Sequence, residues 1–143
     1  MNKKLLAMLL TIAAIPGTAM FAQQTAAQGA QAHGNTGTIV FFRAKRFLGA
    51  GEGFKVREGE VELGRLRNGT YFTIQVAPGN HQYAVHSIAK DLLTLEVDPG
   101  ETYYVQANTG VAGPNLSPSD KATFEALKAQ LKDVTGQGIN DKD

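Results

Sequence analysis

Cysteine is absent from all 143 residues. That absence removes disulfide bonds, thiol nucleophiles, cysteine-ligated metals and, for a bacterial chain, the acylated cysteine of a lipoprotein. Local catalytic motifs are missing as well: there is no G-x-S-x-G elbow and no S-x-x-K pair, the usual marks of a serine beside its base. The chain is therefore not expected to be an enzyme, and no catalytic residue is assigned. Histidine is scarce. His33 stands alone near the N-terminus, and His81 and His86 fall in one expected strand, where alternation sends the two rings to opposite faces. Neither a histidine metal site nor a cofactor is expected. The apolar run Leu5–Ile15 is shorter than the ~20 residues that cross a bilayer, so no membrane span is expected.

That run has a different use. Met1–Lys4 is basic, Leu5–Ile15 is apolar, and Pro16-Gly17 breaks the run before small residues, the layout of a bacterial export signal. Residues 1–22 are read as the signal, with cleavage after Ala22 or, alternatively, after Ala19. A periplasmic or secreted protein follows. Residues 23–36, rich in Gln, Ala and Gly, bury too little to offset their ordering entropy and read as a disordered spacer; 136–143 reads as a disordered tail. The domain proper is 37–135, long enough for a core without disulfide staples.

With Lys3 and Lys4 gone, 12 basic residues face 13 acidic ones, a balance that argues against nucleic acid as a partner. The charges are unevenly spread. All five arginines lie between Arg43 and Arg67, where seven basic residues meet four acidic ones, while Asp91–Asp143 holds nine acidic residues against four lysines.

Between spacer and tail, short runs rich in Val, Ile, Thr, Tyr and Phe alternate with Gly, Pro and Asn. The expectation is a single, mainly β domain: an antiparallel β-sandwich of about seven strands with one C-terminal helix. Strands are placed at Thr38–Arg43, Phe54–Arg57, Glu60–Leu63, Thr70–Val76, His81–Ile88, Leu92–Val97 and Thr102–Ala107. "TIVFFR" is apolar at both parities, as a central strand covered on both faces must be. "TYFTIQV" alternates, with Phe72, Ile74 and Val76 facing the core. "IQVAPGNH" and "LEVDPGET" repeat a Pro-Gly pattern suited to type II turns that reverse the chain, and Glu58-Gly59 and Asn68-Gly69 are further turn candidates. For the helix, Ser117 is placed at the N-cap, Pro118 at the first position and Asp120 in a capping box. Phe124, Leu127, Leu131 and Val134 form its apolar stripe and Gly136 its stop.

The most unusual segment is "RAKRFLGAGEGF", Arg43–Phe54. A strand follows it, not the helix that a phosphate loop requires, so it reads as a long loop whose Arg43, Lys45 and Arg46 are candidate contacts for anionic groups. Tyr71, Tyr83 and Tyr104 are placed on outward strand faces, where aromatic rings can stack on a sugar or a partner, and Tyr71, His81 and Tyr104 are candidate surface contacts. Tyr103 and Tyr104 are adjacent and point oppositely, which puts at least one in the core or at its rim. Glu58, Glu60 and Glu62 read as the solvent face of an alternating strand. Asn68-Gly69-Thr70 and Asn115-Leu116-Ser117 match the glycan acceptor pattern, but turn and cap roles already account for them.

"TGTIVFFRAKRFLGAGEGFKV", "GEVELGRLRNGTYFTIQVAPGNHQY" and "VDPGETYYVQ" together resemble a family of bacterial envelope proteins known only as a domain of unknown function. Its elements are G-x-L-x-N-G-T-Y-F, P-G-x-H and P-G-x-x-Y-Y-V, matched here roughly from Gly37 to Ala107. The resemblance implies a compact β-sandwich in the cell envelope, with no established activity or catalytic residues to carry over. Many relatives look like lipoproteins, whereas this chain lacks the cysteine. A histidine just after a Pro-Gly turn can tie the turn down or line a shared surface. The expected function is a non-catalytic binding or envelope-accessory module, with an envelope protein or an anionic envelope polymer as partner. The alternative is a module for anionic glycan or lipid that uses the basic loop.

Overall fold

The computed structural model describes residues 35–47, 50–85, 92–110 and 113–137. The expected signal, His33 and most of the spacer, the far end of the fifth strand with His86, and the tail beyond residue 137 lie outside the described residues. The described elements are β1 (Gly37–Arg43), β2 (Phe54–Glu58), β3 (Val61–Leu66), β4 (Thr70–Val76), β5 (Gly79–Val85), β6 (Leu93–Val97), β7 (Thr102–Gly110), β8 (Gly113–Ser119), α1 (Lys121–Lys128) and β9 (Lys132–Asp133). They form a five-stranded sheet ordered β8-β7-β1-β4-β9 and a four-stranded sheet ordered β3-β2-β5-β6. The two sheets pack together around one apolar cluster.

The mainly β reading and the C-terminal helix hold, but the pairing is not all antiparallel, and the described residues form nine strands where about seven are expected. The smaller sheet is antiparallel; the larger is mixed, with β1 parallel to β7 and β4 parallel to β9. The turn before β7 explains the first parallel pair. Asp98-Pro99-Gly100 lifts the chain out of β6 in the smaller sheet, with Gly100 at φ 81°, a left-handed value that glycine adopts without steric cost. The Gly100 amide donates to the Thr36 carbonyl at 3.0 Å, and the Thr38 amide donates to the Glu101 carbonyl at 2.8 Å. β7 is thus set down beside the start of β1 and runs in the same direction.

The Pro-Gly repeat accordingly does a different job from the one its turn statistics suggest. Pro78-Gly79 joins β4 to β5 and Pro99-Gly100 joins β6 to β7, and in each case the two strands belong to different sheets. Gly79, at φ 131°, is already the first residue of β5. Asn68-Gly69 likewise joins β3 to β4 across the sandwich, whereas Glu58-Gly59 closes a hairpin between β2 and β3.

The helix also starts later than expected. Ser117 and Pro118 extend β8, paired with Gln106 and Val105 of β7. Proline is tolerated there because β8 is an edge strand, where one side of the backbone has no partner to donate to. Asp120 is the cap: its carboxylate accepts from the Thr123 amide at 2.8 Å and from the Thr123 hydroxyl at 3.1 Å. Those bonds hold its pKa below the usual carboxylate range.

β1 behaves as its two-parity pattern demands. Ile39 and Phe41 enter the cluster between the sheets, with Phe41 stacked on Phe72 at 5.2 Å and edge-on to Tyr83 at 5.2 Å. Val40 and Phe42 face the other way into a second cluster closed by Phe124 of α1. The expected helical stripe divides: Leu127 and Leu131 join Phe124, while Val134, beyond the helix, packs against the inter-sheet cluster. β3 approaches β4 closely enough that a Cβ at Gly64 would meet the Phe72 ring at 2.9 Å. Glycine is therefore required there for packing. Gly64→Ala should lower stability by about 1–3 kcal/mol, the usual cost of overpacking a close-packed core. Gly51→Ala, with nothing within 4 Å of its Cβ, should leave the urea midpoint unchanged; equal midpoints for the two variants would remove this account of Gly64.

Candidate functional site

The seven-residue run of β1 delivers Arg43 to one end of the sandwich. Arg43 has the parity of Ile39 and Phe41, so its side chain turns inward and is 4% exposed. The guanidinium lies 3.8 Å from the Phe54 ring centroid, and Nη1 donates to the Glu52 carbonyl. Burial pulls its pKa below the ordinary guanidinium value, and the charge of Glu52 opposes the shift. Arg43 thus fastens the loop's far end to the core and stands apart from the two basic residues that follow it.

Lys45 and Arg46 are exposed. The backbone between them and the end of the sandwich is held by Asn68: its Oδ1 accepts from the Arg46 amide at 2.7 Å, and its Nδ2 donates to the Arg46 carbonyl at 2.8 Å. One side chain thereby satisfies both polar groups of one residue, as a neighbouring strand would. Gly69 makes the approach possible, since it sits at φ 70° and its Cβ position is 3.3 Å from that of Lys45. Lys45, Arg46, Phe47, Ala50, Asn68 and Gln130 line a cleft of about 390 Å³. No acidic side chain is among them. Phe47 is fully exposed, at 104% of its reference area.

Arg67 follows β3 at this same end, and Lys132 pairs with Thr70 in β9 beside it. The opposite end gathers the turns at Glu58–Val61, Ala77–Gly79 and Asp98–Glu101, and with them Glu58, Glu60, Glu96, Asp98 and Glu101. The first end thus sets Lys45, Arg46, Arg67 and Lys132 against Glu52 and Asp133, a basic excess, while the other end is richer in acid.

His81 belongs to the acidic end. Nδ1 lies 2.6 Å from Glu58 Oε1 and Nε2 lies 2.7 Å from the Ala77 carbonyl, while the ring stacks parallel to Tyr83 at 6.0 Å. Both partners are acceptors, so both ring nitrogens must carry a proton for both bonds to form, which is the imidazolium state. The hydrogen bond to Glu58 and then that to Ala77 raise the His81 pKa, against the opposing effect of burial. His81 therefore ties the Pro-Gly corner to the β2–β3 hairpin, and neither nitrogen is left to serve a substrate. Beside it, Tyr83 is wholly buried and its hydroxyl lacks a hydrogen-bond partner among the described residues. Burial, assisted by the Glu58 charge, pushes its pKa far upward.

Of the three tyrosines expected on outward faces, Tyr83 is instead core, because its side chain turns between the sheets, while Tyr71 and Tyr104 lie half-buried beside α1. Tyr71 meets Phe124 edge-on at 5.2 Å and Tyr104 meets it at 5.4 Å. Burial, followed by the charge of Asp133, raises the Tyr71 pKa. Tyr103 sits at the core rim, its Oη accepting from the Asp98 amide at 3.0 Å. The three glutamates are not one strand face: Glu58 ends β2, Glu60 lies in the turn, and Glu62 of β3 pairs with Lys55 at 3.8 Å and Arg57 at 4.0 Å. Among the described residues no cluster of His, Asp and Glu is arranged to hold a metal, and no helix is long and apolar enough to cross a membrane. Phe47 and Gln130 entered the cleft unannounced by the motif reading; an aromatic residue inside a basic, glycine-rich connection was the available signal for the first.

The chain belongs to the family described as "Protein of unknown function (DUF2846)", which matches residues 33–117. The match spans β1 to most of β8, so Lys45, Arg46, Asn68 and His81 lie inside it and α1 outside. No curated protein matches the chain, and no solved structure does.

The His81 clasp has a defined pH dependence. Because the folded pKa lies above the unfolded value of about 6.5, its stabilisation is fully present below that pH and is lost as pH rises through the folded value. The stability difference between the native protein and His81→Ala should be largest near pH 6 and shrink by about 1–2 kcal/mol at alkaline pH, the scale of one charge-assisted hydrogen bond. Urea midpoints across that range are the measurement, and a difference independent of pH would show that the clasp does not depend on the imidazolium.

Proposed function

We propose that this member of a family of unknown function is a non-catalytic binding module of the bacterial envelope, exported to the periplasm or beyond, that takes up anionic partners at its basic end. One observation carries the reading: Asn68 holds the Arg46 backbone at both its amide and its carbonyl, so Lys45 and Arg46 are presented at the mouth of a cleft with no acid in its lining. Exposed lysines on a free loop lose much of their attraction to side-chain and backbone entropy. A pinned backbone reduces that loss, because less must be ordered on binding. A binding role is further supported by His81, whose nitrogens are both engaged. Export is supported by the Met1–Lys4 and Leu5–Ile15 pattern.

Inorganic polyphosphate is a suitable polyanionic probe. Lys45→Glu with Arg46→Glu should weaken its binding about tenfold or more, and raising salt from about 50 to 300 mM should weaken binding to the native protein, since exposed charges are screened over ~10 Å at 0.1 M. Asn68→Ala should weaken binding while leaving the charge unchanged. Binding indifferent to both charge reversal and salt would remove the basic end from the proposal, and capture of an envelope protein equally by both forms would direct attention to the sandwich faces.

A further inference from the structure

The geometry points to an anionic lipid surface as the partner of the basic end, with Phe47 entering the headgroup region and Lys45 and Arg46 meeting lipid phosphates. The inference rests on the anion-binding reading and adds to it the identity of the surface. Phe47 is what that reading leaves unused. Its ring is fully exposed, while the other large exposed apolar residues among those described are partly covered, Val61 at 63% and Leu92 at 49%. Val61 lies at the acidic hairpin, away from the cleft. Among the described residues, only Phe47 combines full exposure with two cations directly before it, Lys45 and Arg46.

A polymer of phosphate or sugar gives the ring little to do. Stacking on a sugar needs an aromatic face held in a set orientation by its neighbours, and Phe47, with its entire reference area open to solvent, has no such support. A bilayer makes no demand on ring orientation. Aromatic side chains settle at the headgroup level in any tilt, and lysine and arginine beside them extend their charged ends to the phosphates while their stems cover apolar surface. The remainder of the molecule orients the approach. Lys132 adds positive charge at the same end, where Glu52 and Asp133 offset part of it, and Glu58, Glu60, Glu96, Asp98 and Glu101 lie at the other, so a negative surface favours the first end over the second. One ring and a few cations give reversible docking, not permanent anchoring. That suits a chain without the acylated cysteine of a lipoprotein.

The sequence contains no tryptophan, so Phe47→Trp places a single reporter at the point of contact. The protein should be taken in the form released by cells that express the full sequence. It should be mixed with vesicles of phosphatidylglycerol and phosphatidylethanolamine, with vesicles of phosphatidylcholine alone, and with soluble polyphosphate. The expected result is a blue shift of the emission with the anionic vesicles only. Lys45→Ala with Arg46→Ala should reduce vesicle partitioning about 30-fold, from roughly a fivefold loss per basic residue. Phe47→Ser should reduce vesicle binding far more than polyphosphate binding and leave thermal unfolding unchanged, since the ring is fully exposed. An unshifted emission with polyphosphate binding preserved would overturn the lipid inference and keep the anion-binding reading. Equal weakening of vesicle and polyphosphate binding by Phe47→Ser would also overturn it, by assigning the ring to a soluble polymer. Failure to bind either probe would overturn both.

Discussion

Strand β1 is buried on both faces, and the rest of the molecule is arranged to keep it so. Ile39 and Phe41 need the second sheet above them; Val40 and Phe42 need α1 below. A strand with one wet face would leave Phe42 in water. Covering that face requires the chain to return after eight strands with a helix carrying Phe124, which Tyr71 and Tyr104 then flank. Burying a side chain of this size contributes roughly 1.5–3 kcal/mol, so the inter-sheet cluster, with twelve buried residues against three, carries most of the burial energy, and the smaller one keeps the second face of β1 dry. They share β1, and a change in either is felt through a single backbone.

The same strand positions the candidate site. Arg43 is its last residue and turns inward onto Phe54, which fixes where the following loop begins. Three residues on, Asn68 takes hold of Arg46 from the β3–β4 corner, and Gln130, just past α1, lines the cleft. The basic loop is thus held by three parts of the chain that are far apart in sequence, each brought to one end of the sandwich by a strand or helix packed on β1. At the other end, His81 does for the Pro-Gly corner what Asn68 does for the loop: a side chain supplies hydrogen bonds where no strand is present to supply them.

Where the backbone pattern is set by local chemistry, the sequence was informative. Thr70–Val76 is a strand with those bounds, and "TIVFFR" is the two-faced centre that its apolar parities imply. What failed did so where a local signal had a second possible use. Pro-Gly reverses direction equally well within a sheet or between sheets, and nothing in eight residues says which. Ser117-Pro118 caps a helix in statistics and ends an edge strand in fact, because β7 was close enough to pair with it. Tyr83 is core rather than outward, since its parity in β5 faces the other sheet, whereas Tyr71 and Tyr104 do lie on the face away from the inter-sheet core, where α1 partly covers them. The candidate site was half legible: Lys45 and Arg46 could be picked out by charge, whereas Arg43 was separated from them by strand parity that is visible only once the inward face is known.

The edge formed by β8 has a consequence for life at high concentration. Pro114 and Pro118 have the same parity, and both lie in a strand that pairs with β7 without a register shift. Their missing amide hydrogens therefore fall on the outer side, where a second copy would otherwise find a row of donors to stack against. A β-rich protein without disulfides is at risk, when concentrated, of joining its neighbours edge to edge. Along β8, the two prolines make such stacking unproductive, so crowding can proceed without polymerisation through that edge.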